Sequence, residues 1–268
     1  MKRLEHFMGE GWQLRPAGGA TGEAYIAEQG NQKIFIKRNS SPFLAVLSAE
    51  GIVPKLLWTK RLENGDVITA QRWVDGRELK SYEMNNDRVA SLLSKIHQSR
   101  DLLDMFKRMG NHPLTPEHIH YKVSRKSAEI NIQDPFVKDA LKWLEDNLPE
   151  YSEDNYVVCH ADVNHNNWIS NSENHLYLID WDCAQVADPA LDLAPLLYVY
   201  IPKKDWGSWL GTYGVDITEA LVKRMQWYMV GQCIENILWY WQRNEFNDIA
   251  KWSELLNTIL HEAGHHTS

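Results

Sequence analysis

Two hydrophobic rhythms divide this chain. Up to about residue 75 apolar side chains recur with the period of two that suits a half-buried strand, and the runs are separated by Gly, Asn and Asp turns. Residues 11–37 read as two strands around a glycine-rich turn and then a third, Lys33 to Lys37, reached through the turn at Gly30 and Asn31. Ser41 to Gly51 reads as a short helix with Ser41 as cap and Pro42 at its first position. Leu56 to Lys60 and Val67 to Trp73 complete a five-stranded antiparallel sheet with one helix. From Arg77 the period becomes 3.6. Val89, Leu92, Leu93, Ile96 and His97 share one face of a helix capped near Asn85 or Asn86, and His97 reads as a satisfied core histidine. Helical pieces follow, broken at Gly110, Pro113 and Pro116, then a helix from Phe136 to Leu148. After Leu193 the chain is helical again, with a long helix from Thr218 to Arg243. The expectation is an α+β fold in two parts: 1–75, with a linker at about 70–76, and 76–268, mainly helical.

Between the two helical stretches the short strands return. Tyr156 to Cys159 reads as a buried strand that stops at His160, and Ala161 to Asn167 is too polar to be core. Trp168 to Ser170, a turn at Asn171 to Asn174, and Leu176 to Ile179 form a hairpin that sets Asn167 across from Asp180. Asp162, on the preceding loop, reaches the same spot. Two carboxylates and an amide carbonyl make a hard-oxygen donor set, which suits Mg2+ completed by water and phosphate. Asn167 and Asp180 are the expected metal ligands, and Asp162 the residue that orients a hydroxyl and accepts its proton. Asp182 is read two ways, as a donor to a second magnesium or as a structural hydrogen-bond partner. Near the start of the chain Gly18, Gly19 and Gly22 let the backbone turn its amides onto phosphate oxygens, and Lys37 ends the third strand.

The spacing His160-x-Asp162, four residues, Asn167, then a strand ending in Asp180, resembles the catalytic loop and metal-binding aspartate of protein kinases. Ala161 stands where those enzymes carry Arg, and Asp180-Trp181-Asp182 where they carry Asp-Phe-Gly. With these departures the segment resembles the aminoglycoside phosphotransferase and choline kinase family, and Asp188-Pro189 with Asp192-Leu193-Ala194 is similar to that family's next motif. The resemblance implies a bilobal kinase-like fold, ATP as donor, Mg2+ as cofactor and a small-molecule hydroxyl as acceptor. It also implies that Lys37 reaches the α and β phosphates, that His160 braces the loop, and that Trp73 at the linker lines the adenine slot or packs as core. Ser40 to Arg61 resembles a bacterial branch of the family, YtmP or CcrZ-like, associated with cell-cycle control, which brings a protein partner into view.

Composition narrows the picture a little further. The formal net charge of −8 argues against a general nucleic-acid binder. Residues 1–75 hold 10 Lys and Arg against 8 Asp and Glu, leaving 18 against 28 for the rest, so the first part is the better host for an anionic nucleotide. No run approaches the roughly 18 apolar residues of a membrane span. Three scattered cysteines suit reduced thiols in the cytoplasm, and Cys159 and Cys183 read as small core residues. His261-Glu262-Ala263-Gly264-His265 matches the zinc-protease pattern, but Gly264 weakens the helix it needs and it reads as a frayed tail.

The reading is an ATP-dependent phosphotransferase acting on a sugar or nucleoside hydroxyl ahead of choline or ethanolamine. The aromatic-rich helices after Leu193 suit a stacked ring or a cation equally well. Its rival is a regulatory protein that keeps the fold and binds nucleotide and partners without turnover. An irregular glycine turn and a helix with only Glu50 to pair with Lys37 favour that rival; Lys37, Asp162, Asn167 and Asp180 all being present argues against it.

Overall fold

The computed structural model describes residues 11–18 and 23–264. They fall into two compact units, one of the described residues up to 79 with 165–183, the other of residues 80–164 with 184–264. The α+β architecture expected from the two rhythms is present: an antiparallel sheet at the start and a mainly helical remainder.

In the first unit β1 (Gln13–Gly18), β2 (Ala24–Gln29) and β3 (Gln32–Arg38) form consecutive hairpins, and after helix α1 (Phe43–Ala49) come β4 (Leu56–Arg61) and β5 (Val67–Arg72). The sheet order is β1-β2-β3-β5-β4, all pairs antiparallel. Gln29 pairs with Gln32 across the two-residue turn Gly30-Asn31. Ala27, Ile34, Ile36, Ile68 and Ala70 are buried as one cluster, with Trp12, Leu14, Tyr25, Trp58 and Leu62 packed on it. Side chains alternate across a strand, so Lys37 faces away from Ile34 and Ile36. Ser41 accepts a hydrogen bond from the Phe43 amide at 3.2 Å and starts α1, whose Phe43 and Leu47 are buried. The turn after it is made at Gly51, φ +69°, a left-handed backbone that glycine adopts without penalty.

A short strand, β6 (Gly76–Glu78), stands where the linker was expected. The second unit then opens with α2 (Asp87–Gln98), capped by Asn86, and continues through α3 (Arg100–Arg108), α4 (Pro116–Ile130) and α5 (Pro135–Asp146) to β7 (Val157–Cys159). The chain returns to the first unit for β8 (Trp168–Asn171) and β9 (Leu176–Leu178), which form a three-stranded sheet in the order β6-β8-β9. This hairpin is bonded into the first unit: the Leu178 amide donates to the Ile52 carbonyl at 3.0 Å, and the Leu79 amide to the Trp168 carbonyl at 2.9 Å. Back in the second unit, β10 (Gln185–Ala187) pairs antiparallel with β7. Helices α6 (Ala190–Tyr200), α7 (Trp206–Tyr213), α8 (Glu219–Trp241) and α9 (Phe246–Glu262) complete it. The long α8 is the axis of that unit: α4, α5, α6 and α9 pack on it, and the Trp227 indole donates to the Leu144 carbonyl at 2.9 Å. The tail expected to fray is ordered through α9, where Glu262 pairs with Lys203, because the apolar stripe of Leu256, Ile259 and Leu260 is buried. His265 lies outside the described residues.

Candidate functional site

The first unit holds a compact ionic centre at the end of β3. The Lys37 ammonium donates to Asp180 Oδ1 at 2.7 Å and to Asp182 Oδ2 at 2.7 Å. Both carboxylates are about half exposed, 49% and 50%, while the lysine is 18% exposed. Burial alone pulls the lysine toward its neutral form; the two carboxylates outweigh it and hold the ammonium above its ordinary pKa. Three residues present these acids. Asp180 has φ +64°, a left-handed conformation that costs a non-glycine residue about 1 kcal/mol or more. Trp181 is the peg that holds the turn: it is buried, its indole N–H donates to the Leu178 carbonyl at 2.8 Å, and it meets the Phe43 ring edge-on at 6.0 Å. With the indole inside, Asp180 and Asp182 on either side are turned toward solvent.

Asn167 belongs to the same unit. It ends a short helical turn, His165–Asn167, is 9% exposed, and its carbonyl accepts the Ile179 amide at 2.8 Å. The register Trp168↔Leu178 therefore sets Asn167 across from Ile179, one residue short of Asp180. Among the cofactor residues expected from the sequence, Gly18 closes β1 with φ +90°, and a Cβ there would meet nothing within 4 Å among the described residues, so its requirement is conformational. Gly19 and Gly22 lie outside the described residues. Trp73 is half-buried with the Lys33 ammonium 3.8 Å over its ring. Glu50 caps the C-terminal end of α1, and among the described residues the ionic partners of Lys37 are the two aspartates.

Asp162 lies in the second unit, on a loop braced from within. Asp192 is fully buried, and its carboxylate accepts the His160 amide at 2.7 Å, the Ala161 amide at 2.8 Å and His97 Nε2 at 3.1 Å. His97 Nδ1 in turn lies 2.7 Å from the Tyr213 hydroxyl. The two amide bonds hold Ala161 at φ +61°. His160 Nδ1 then accepts the Asp162 amide at 3.2 Å, and Asp162 Oδ1 accepts the Asn164 amide group at 2.6 Å. The loop is thus a chain of bonds from a buried helix-borne acid to a half-buried carboxylate. Bracing by His160 was implied by the family resemblance and a satisfied His97 was legible in the sequence; the Tyr213 hydroxyl was not, since no spacing ties α7 to α2.

The neighbouring groups are structural. Burial pushes the Cys159 thiol well above its usual range, so it stays protonated and inert. Cys183, expected as core, is exposed, because it follows the Trp181 peg on the solvent side of the turn. Asp188 accepts the Ala190 amide at 2.8 Å and faces Arg224 at 3.0 Å; burial raises its pKa in spite of that guanidinium.

This loop, hairpin and lysine fall inside residues 13–228, which match the model of the phosphotransferase enzyme family. The chain belongs to that family. Several solved phosphotransferases share its fold over nearly the whole length. Choline kinase LicA from Streptococcus pneumoniae is 20% identical, covering 96% of this chain and 97% of its own, with a TM-score of 0.69. Spectinomycin phosphotransferase APH(9)-Ia, solved with ADP and spectinomycin, is 16% identical over 92% of each chain, TM-score 0.67. Aminoglycoside 2'-phosphotransferase-IIIa, solved with GDP, is 14% identical, covering 97% and 96%, TM-score 0.69. An uncharacterized protein of Metamycoplasma hominis is 24% identical over 127 residues, 47% of this chain; the matched part is 24% of that longer relative. Among the described residues, no helix is long and apolar enough to cross a membrane.

Proposed function

We propose that this phosphotransferase moves the γ-phosphoryl group of ATP to a hydroxyl of a small molecule, with Mg2+ as cofactor. The observation that carries the reading is the ammonium of Lys37 bound by two half-exposed carboxylates beside the Asn167 rung. The donor set fits a hard divalent cation, since Asp180 offers a half-exposed carboxylate and Asn167, on the adjoining rung of the same hairpin, an amide oxygen. In this reading Asn167 and Asp180 hold the metal, which supplies neutralising charge for the triphosphate. Lys37 with its two acids sums to −1, so a dication turns the centre from one that repels polyphosphate to one that attracts it.

The chain's own residues do the rest. Lys37 binds the α and β phosphates, and the backbone at Gly18 borders them. Trp73 borders the adenine. Asp162, braced through His160 and Asp192, orients the acceptor hydroxyl and takes its proton as the oxygen attacks. The P–O bond to the leaving diphosphate breaks as the new one forms, and ADP carries the charge away. Solved relatives bound to ADP, AMP or GDP support a purine nucleotide donor, and a choline kinase and aminoglycoside phosphotransferases of the same fold support a small hydroxyl acceptor.

For the acceptor we favour a sugar or nucleoside hydroxyl ahead of choline or ethanolamine. The support is the resemblance of Ser40 to Arg61 to the CcrZ-like bacterial branch, which also suggests a protein partner in cell-cycle control. The test is ATP consumption across a panel of sugars, nucleosides and amino alcohols, with magnesium and with chelator. Magnesium-dependent ADP release with one class of alcohol supports the reading. Nucleotide binding with no turnover on any of them would move the chain to the regulatory alternative.

A further inference from the structure

Protein kinases steady their strand lysine with a glutamate from the helix that follows it. In this chain that helix, α1, contains no acidic residue, and Glu50 stands beyond it as the C-terminal cap. The lysine is satisfied elsewhere. Lys37 Nζ lies 2.7 Å from Asp180 Oδ1 and 2.7 Å from Asp182 Oδ2, so both its anionic partners sit on one turn.

The two acids have different prospects once nucleotide and metal arrive. On the functional reading above, on which this inference rests, Asp180 turns its charge to the metal. An ammonium and a dication sharing the same carboxylate repel each other, so Lys37 then depends on its other partner. Asp182 is placed to remain. Its turn, Trp181–Cys183, is fixed by the buried Trp181, whose N–H is bound to Leu178 and whose ring abuts Phe43. Phe43 belongs to α1, so the helix that lacks the glutamate still locates the acid that replaces it.

We propose that Asp182 is the positioning residue for Lys37, holding its ammonium toward the phosphates in place of a helix glutamate. Asp182 acts through the lysine and touches no reacting atom.

The test is ADP affinity of the full chain by calorimetry, in chelator and across a magnesium titration, for wild type, Asp182→Asn, Lys37→Met, the double variant and Asp182→Glu. In chelator Asp180 still holds the lysine, and Asp182→Asn should weaken ADP by only about twofold. At saturating magnesium the loss should grow to about tenfold, the scale of one charge-assisted hydrogen bond at a half-exposed site. In the Lys37→Met background the same change should cost nothing more, the half-saturating magnesium concentration should stay the same, and Asp182→Glu should recover most of the affinity. With half its surface exposed, Asp182 can be changed with little effect on the melting temperature, which serves as the folding control.

A further loss from Asp182→Asn in the Lys37→Met background would overturn the proposal, since the residue would then act without the lysine. A shift of more than about threefold in half-saturating magnesium would do so as well, by making Asp182 a metal ligand. ADP binding untouched by Asp182→Asn overturns this inference and leaves the phosphotransferase reading standing. Failure of the wild type to bind ADP at all removes both.

Discussion

A buried charge is costly unless every lone pair finds a donor, and Asp192 shows what such a charge can organise. Its carboxylate collects two consecutive backbone amides and one imidazole, and thereby fixes Ala161 in a left-handed conformation next to Asp162. Asp192→Ala should destabilise the protein by about 2–5 kcal/mol, because it strands the buried His160 amide and the part-buried Ala161 amide, and a urea melt will measure it. Asp162 is half-buried and bound by a side chain, so Asp162→Ala should leave the melt nearly unchanged while turnover falls by at least about a hundredfold in an ADP-release assay. Asp180→Ala should weaken nucleotide binding only when magnesium is present; an unaltered magnesium dependence would remove its assigned role. At this scale the spacing of 160, 162, 167 and 180 let the sequence nominate Asp162, Asn167 and Asp180 as site residues. It did not show what Lys37 touches, since an ion pair between a strand lysine and an acid some 140 positions later leaves no periodic trace.

At the scale of elements, legibility followed the apolar pattern. The long helical segments and the five strands of the first sheet were readable because apolar side chains repeat several times within each. β6 and β10 were not: Gly76–Glu78 and Gln185–Ala187 lack the apolar run that marks the equally short β7 and β9. Their partners decide them, and the partner strands are distant in sequence. The register of the β8–β9 hairpin was legible to within one residue, Asn167 meeting Ile179 where Asp180 was expected. Trp168 anchors that hairpin with its indole fully buried, and Trp168→Ala should cost about 3–5 kcal/mol in a thermal or denaturant melt. Thr218 accepts the Leu221 amide at 3.2 Å at the start of α8, and Thr218→Ala should cost about 1 kcal/mol by the same measurement.

The whole molecule is not divided where the change of rhythm suggests. Residues 165–183 come after some eighty residues of the second unit yet are bonded into the first through β6, Ile52 and Leu79. Neither unit is therefore a continuous piece of chain. A fragment of residues 1–79 lacks two strands of its own unit, and it should show no cooperative thermal transition by circular dichroism. The full chain should, with a melting temperature that rises on adding ADP and magnesium together. Such discontinuity is invisible to local pattern, because it depends on which edge a returning hairpin finds.

The tryptophan between the two site aspartates binds these scales together. Because Trp181 is buried against Phe43 while its neighbours face solvent, trimming Phe43 would loosen the pair of acids that flank the indole, and the first symptom of a vacancy among apolar side chains would be a phosphate held slackly. In this family member a screen for lost activity will therefore collect oil as readily as charge.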